Sequence, residues 1–467
     1  MLFNSYEFLF LFFPIVLGMY YVLPARGRII MLTLASYFFY GWWDFRFCAL
    51  MVLSSFIDYI AGARISASDH QPTRKRWLWL SMVSNLSLLG FFKYYDLLAG
   101  STNYGLAALF PGVGFQVPLL HLVLPVGISF YTFQSMSYSI DIYQRAANPA
   151  RSMWDFACYV ALFPQLIAGP IIRYRSLADQ LVERTHSLDK CALGAALFVC
   201  GLAKKVLLAD GVALLTPLAF GSTQAPDLLS AWTGVLGYTM QIYFDFSGYS
   251  DMAVGLGLMF GFSFPQNFHS PYKAVTITDF WRRWHISLST WLRDYLYIPL
   301  GGNRHGPWRT YFNLTVTMLL GGIWHGANWT FLIWGGYHGV LLAMEKKFSL
   351  ANAHGVWRPV RQVITFVLVM IGWVFFRAAN VDDAMRVLGG MAGLNGLGDS
   401  DLFWARSGAL SITMLLSASV IAFLSPNTWE VRWKFSWLQI VGVTLLFLVC
   451  IGAIMVNTSS PFLYFQF

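Results

Sequence analysis

Charge is what this chain has least of. Asp, Glu, Lys and Arg together make up 11% of its 467 residues, against about 25% in an ordinary soluble domain. A chain this poor in charge cannot cover itself for water, which excludes a conventional soluble enzyme of this length. Cysteine is also sparse. The five present (Cys48, Cys158, Cys191, Cys200 and Cys450) are scattered through apolar stretches. With no CxxC pair and no close Cys/His cluster, neither a disulfide framework nor a zinc site is indicated. No Pro/Gly/Ser-rich linker, low-complexity tract or internal repeat divides the chain, so one integral-membrane domain over residues 1–467 is the simplest partition. Walker A, Gly-x-Ser-x-Gly and dinucleotide fingerprints are absent as well.

What fills the chain instead is apolar and aromatic. Hydrophobic residues reach 57% and Phe, Trp and Tyr 18%, in runs near the length that crosses a bilayer. Such runs cover Phe8–Leu23, Ile29–Trp43, Phe47–Ala63, Trp77–Phe92, Leu119–Tyr143, Cys191–Leu208 and Leu228–Phe264. Beyond them come Tyr311–Trp324, Trp329–Met344, Val363–Phe376, Ser407–Leu424 and Leu438–Val456. The first run lacks a basic leader and a cleavage site and reads as a retained span. The excess positive charge, +9 overall, sits in short loops such as Arg64–Arg76 and Arg173–Lys190. That is an orientation signal rather than a nucleic-acid surface. Taken together, the loops predict about twelve crossings with both termini outside, in an inner-type membrane. The fold class is therefore an all-α polytopic membrane protein.

Some polar residues interrupt the hydrocarbon. The fifth run is dense in Ser and Tyr, which either pack between helices or line a polar cavity. FPQLIAGPIIRYR, broken by Pro164 and Pro170, is too short for a span and reads as re-entrant or interfacial. Lys204 and Lys205 either snorkel or face an anionic ligand. Asp245 and Asp251 are functional candidates or structural partners of a nearby Arg or Tyr hydroxyl.

The densest polar and aromatic stretch runs from Asp279 to Asn328. On a helix from Asp279 to Leu296, Trp281, Trp284, Leu288, Trp291, Leu292 and Tyr295 share one arc. Arg282, Arg283, Ser287, Ser289, Thr290, Arg293 and Asp294 share the other, with His285 at the boundary. The pattern predicts one amphipathic interfacial helix holding His285 near the cytoplasmic surface. An arginine and tryptophan surface suits either membrane anchoring or a phosphorylated, base-bearing ligand. The candidate donor contacts are Arg282, Trp284, Arg293, Arg304, Trp324 and Asn328. His325 ends a short apolar run among Gly321, Gly322 and Gly326, deep in the membrane. There it is either a packed core histidine or a buried general base.

These motifs carry a resemblance. DFWRRWHISLSTWLRDYLYIPLGGNR followed by GGIWHGANWTF resembles the membrane-bound O-acyltransferase family, in particular its bacterial branch acting on alginate and other exopolysaccharides. PVGISFYTFQSMSYSIDIY, FPQLIAGPIIRY, YFDFSGYSDMAVGLGLMFGF and the terminal SPFLYFQF extend the likeness along nearly the whole chain. The resemblance implies a helical core with a central funnel and tunnel, and a catalytic region over about residues 240–345. His325 matches the family's deep catalytic histidine, and His285 its second histidine. It further implies acetyl-CoA as donor, no bound cofactor or metal, and a periplasmic acyltransferase partner that esterifies the polysaccharide. A non-enzymatic flippase of an activated sugar or lipid, and a sister-branch enzyme for D-alanyl or protein acylation, are the competing readings.

Overall fold

The structure, a computed structural model, describes residues 1–112, 114–167, 169–221, 224–348, 357–456 and 463. The terminal SPFLYFQF, apart from Leu463, and residues 349–356 lie outside the described residues, as does the predicted position of the C-terminus. Among the described residues every regular element is helical. They group into two compact units, Met1–Cys191 with Leu256–Phe264, and Ala192–Gly255 with Pro265–Phe467.

In the first unit a π-helical turn, Glu7–Phe12, leads into α1 (Phe13–Val22), followed by α2 (Ala25–Asp44), α3 (Arg46–Ser66) and α4 (Gln71–Leu109). Next come α5 (Ile128–Tyr143), α6 (Met153–Ala161), α7 (Phe163–Leu166) and α8 (Tyr174–Val182). The Ser-rich α5 is a packing helix. Its Ser139 hydroxyl pairs with Ser81 of α4 at 2.7 Å, and its Ser137 with Tyr159 of α6 at 3.1 Å. Between α3 and α4, Ser81 and Asn85 donate to the buried Asp58 carboxylate at 2.6–2.9 Å. The proline-broken segment forms the single turn α7, fully buried, with Phe163 edge-on to Phe12 at 5.3 Å. Irregular backbone is tolerated in an apolar setting when protein covers it in this way.

The second unit begins with most of α9 (Leu188–Ala203). A π-helical turn (Lys204–Ala209), α10 (Asp210–Ala213), α11 (Pro217–Phe220) and α12 (Leu228–Met259) follow. Next are α13 (Ile277–Arg283), α14 (Ile286–Leu292), a second π-helical turn (Arg293–Tyr297), α15 (Gly306–His325) and α16 (Trp329–Lys347). Then come α17 (Arg358–Arg377), α18 (Val381–Met391), α19 (Ser400–Ser407), α20 (Ala409–Phe423) and α21 (Trp437–Val456). Glycines let helices meet backbone to backbone. A side chain at Gly248 of α12 would lie 2.6 Å from the Gly201 carbonyl of α9, and one at Gly335 of α16 would strike the Met318 carbonyl of α15.

Most apolar runs correspond to a helix within a few residues, but not all qualify as spans. Among the described residues four helical segments are long and apolar enough to cross a membrane: Arg46–Ser66, Leu188–Phe220, Arg358–Arg377 and Trp437–Val456. A fifth is added if α19 and α20, bent by 79°, count as one broken span. The expected dozen is not reached on this criterion, because α4 and α15 carry too many polar residues and α5, at 16 residues, is too short. The run from Leu119 starts its helix only at Ile128.

The buried lysines have partners. Lys204 Nζ meets Asp251 Oδ2 at 2.6 Å, and Lys205 Nζ meets Asp245 at 2.7 Å and Asp210 at 2.8 Å. Trp429 donates to the other Asp251 oxygen and the Leu463 N–H to Asp245. Among the described residues the aspartates therefore pair with lysines. Removing one partner of a buried pair strands the other charge, a loss of about 3–5 kcal/mol. Lys205→Met should lower the thermal midpoint in detergent steeply, with partial recovery in Lys205→Met/Asp245→Asn. An unchanged midpoint would show that the pair carries no stability.

Candidate active site

The predicted amphipathic helix is two helices. α13 ends at Arg283, Trp284 adopts an extended conformation, and His285 takes a left-handed φ of 43° before α14 begins. The cause is a tether from an earlier loop. Asn267 Oδ1 accepts from the Ser287 N–H at 3.1 Å and the Ser287 hydroxyl at 2.9 Å. The Ile286 N–H donates to the Asn267 carbonyl, and the His269 N–H to the Arg283 carbonyl. These bonds outweigh helical continuation and hold His285 in a conformation non-glycine residues rarely adopt.

His285 is consequently fully buried within the protein. Its Nδ1 lies 3.3 Å from the same Asn267 Oδ1. That acceptor assigns the proton to Nδ1 and leaves the Nε2 lone pair. Phe246 stands edge-on to the imidazole at 4.7 Å. Burial pushes its pKa down to about 3, so the ring is neutral at physiological pH.

His325 is the last residue of α15 and is 5% exposed. Trp324, Trp334 and Phe376 pack edge-on to it at 4.9, 5.1 and 5.1 Å. Trp324 also reaches His285, with centroids 6.2 Å apart. The two histidines, forty residues apart in sequence, thus share one aromatic neighbour.

A cavity of about 690 Å³ opens toward the other end of α15 and α16. Its wall includes Trp281, Arg282, Arg293, Tyr297, Met318 and Lys346. Met318 lies seven residues before His325, about 10 Å along the helix. Of the predicted donor contacts, Arg282 and Arg293 line this cavity. Trp284 does not: it is buried against Trp373 at 4.8 Å and Phe280 at 5.6 Å. Arg304 is exposed in the loop before α15 and Trp324 belongs to the histidine chamber, while Asn328 caps α16 by accepting the Thr330 N–H.

Helical spacing missed three residues. Trp281, placed on the apolar arc, is a cavity wall. Glu345 accepts from the backbone N–H groups of Ile277 and Thr278, clamping the start of α13. Asn267 organises His285. A buried carboxylate near the end of an apolar helix was the one signal available for Glu345.

Residues 150–381 match the membrane-bound O-acyltransferase family. The chain is 45% identical to a probable alginate O-acetylase of Azotobacter vinelandii, with both chains fully covered. It is 44% identical, again over both full chains, to the probable alginate O-acetylase of Pseudomonas putida. It is 36% identical to a peptidoglycan O-acetyltransferase of Helicobacter pylori, covering 100% of this chain and 98% of that one. The chain belongs to the membrane-bound O-acyltransferase family. It is an acyltransferase with membrane character.

Because the folded state holds His285 neutral, with its pKa lowered from 6.5 to about 3, its contribution to stability is complete above pH 6.5. That contribution is lost as pH falls toward 3. Between pH 6.5 and 5 the loss is on the order of 2 kcal/mol. Thermal unfolding should show this acid decline, and His285→Gln should flatten it. An equally steep decline in the variant would assign it to other groups.

Proposed function

We propose that this acyltransferase takes acetyl from acetyl-CoA on the cytoplasmic side and delivers it for O-acetylation of a secreted exopolysaccharide, alginate or bacterial cellulose. The supporting observation is the α15–α16 hairpin, with an arginine- and tryptophan-walled cavity toward one end and a buried histidine at the other. The guanidinium groups of Arg282 and Arg293 suit phosphates, and the Trp281 ring suits a stacked base. His325 acts as general base in an aromatic chamber that excludes water. It withdraws the proton from an acceptor hydroxyl, whose oxygen attacks the thioester carbonyl. The carbon–sulfur bond breaks, and the thiolate leaves and takes up the proton held by His325. His285, through Trp324, helps fix the chamber. The O-acetyl ester so formed presents the acetyl group across the inner membrane to a periplasmic acyltransferase partner, which transfers it to a polymer hydroxyl; that ester bond breaks, and the first acceptor oxygen takes up the polymer hydroxyl's proton.

Names of relatives favour two acceptor classes, alginate and peptidoglycan. Identity over the full chain is higher to the alginate proteins, and the exopolysaccharide reading follows that difference. The carrier reading drew on Lys204, Lys205 and the aspartates, which here neutralise one another.

Purified protein should release CoA from acetyl-CoA, and cells carrying it should accumulate alkali-labile acetate in the exopolysaccharide. His325→Ala should abolish both, a loss of about 10²-fold or more, while still inserting in the membrane. Arg282→Ala/Arg293→Ala should raise KM for acetyl-CoA about tenfold with kcat little changed. Undiminished acetate in the His325 variant would overturn the assignment; acetate gained in peptidoglycan alone would change the acceptor.

A further inference from the structure

One face of α16 connects the two ends of the site. Trp334, His338 and Glu345 fall on that face at helical spacing. Trp334 stands edge-on to His325 at 5.1 Å, and His338 lies 5.1 Å from Trp334. The Trp281 indole N–H points at His338 Nδ1 at 3.4 Å, with the two rings perpendicular and their centroids 5.2 Å apart. Glu345 clamps the first turn of α13, the helix that carries Trp281 and Arg282. A continuous line of contact therefore runs from the cavity wall to the buried imidazole, and His338 is its middle member.

We propose that His338 is a positioning residue, holding Trp281 against the donor through its Nδ1 and seating His325 through Trp334. The inference rests on the acetyl-transfer reading of the cavity. The chemistry of His338 argues against a filler. It is fully buried, and accepting at Nδ1 leaves the proton on Nε2. Among the described residues that Nε2 has no hydrogen-bond partner. It faces Gly372 of α17, where an added Cβ would lie 2.8 Å away. A leucine or phenylalanine would fill the same space without burying an unsatisfied N–H, which is costly. The acceptor at Nδ1 is the property those residues lack.

The test uses initial rates of CoA release by full-length protein in detergent, with acetyl-CoA varied. Trp281→Phe should raise KM about three- to tenfold, the range one hydrogen bond is worth, and leave kcat near wild type. His338→Phe should raise KM equally and also lower kcat. His338→Asn, whose amide oxygen replaces Nδ1, should recover most of the KM loss. The double variant Trp281→Phe/His338→Phe should have a KM no worse than His338→Phe, because both remove the same bond. Should His338→Phe fail to insert, Gly372→Ala, which presses on Nε2 from α17, should show the same paired change in smaller measure. An Asn variant as impaired as Phe, or multiplicative KM effects in the double variant, would overturn the proposal. Wild-type protein that releases no CoA would instead remove the acetyl-transfer reading, and this inference with it.

Discussion

The site depends on how closely α15 and α16 approach. Gly322 of α15 and Gly335 and Gly339 of α16 leave no room for a Cβ: one at Gly322 would strike the Phe331 carbonyl, and one at Gly339 would lie 2.8 Å from Thr315. In lipid, helices gain little from hydrophobic association, so close van der Waals packing holds them together. The contact also fixes the register between the helices. It sets Trp334 against His325 at one end, and Met318 and Lys346 on the cavity at the other. A half-turn slip would part the aromatic chamber from its histidine.

Charge plays the complementary part. Lys204 with Asp251 and Lys205 with Asp245 and Asp210 tie the π-helical turn after α9 to α12 and α10. Such pairs gain little net stability over apolar residues of the same shape. Their value lies in direction, because a misregistered α9 would leave lysines opposite hydrocarbon. The second unit thus combines glycine contacts, which permit approach, with ion pairs, which choose one register.

Much of this was legible in the sequence. Hydropathy located α2, α3, α17 and α21 within a few residues, because a long apolar run has few alternatives to a helix. The motifs around His325 led to a buried histidine among glycines, as observed. The break at His285 was not legible. Trp281, Trp284, Leu288 and Trp291 keep helical spacing straight through it, and local periodicity cannot register a tether from Asn267, eighteen residues before His285. Trp284 was misplaced for the same reason: once the chain turns, that indole enters the core beside Trp373. The arginines were clearer: Arg282 and Arg293, set on the polar arc, both line the cavity.

The two histidines are not equivalent in what they can do. A general base works best with a pKa near the operating pH, and burial has pushed His285 to about 3. Burial disfavours the charged form of this ring and so works against its holding a proton during turnover. What it retains is a fixed tautomer, set by Asn267, and a rigid position, set by the left-handed backbone and by Phe246. Those are the attributes of a support. The proposed acetyl transfer assigns proton removal to His325, with His285 steadying the Trp324 wall that both share. The strained turn at His285 has a use in this arrangement. It brings a second imidazole to that wall.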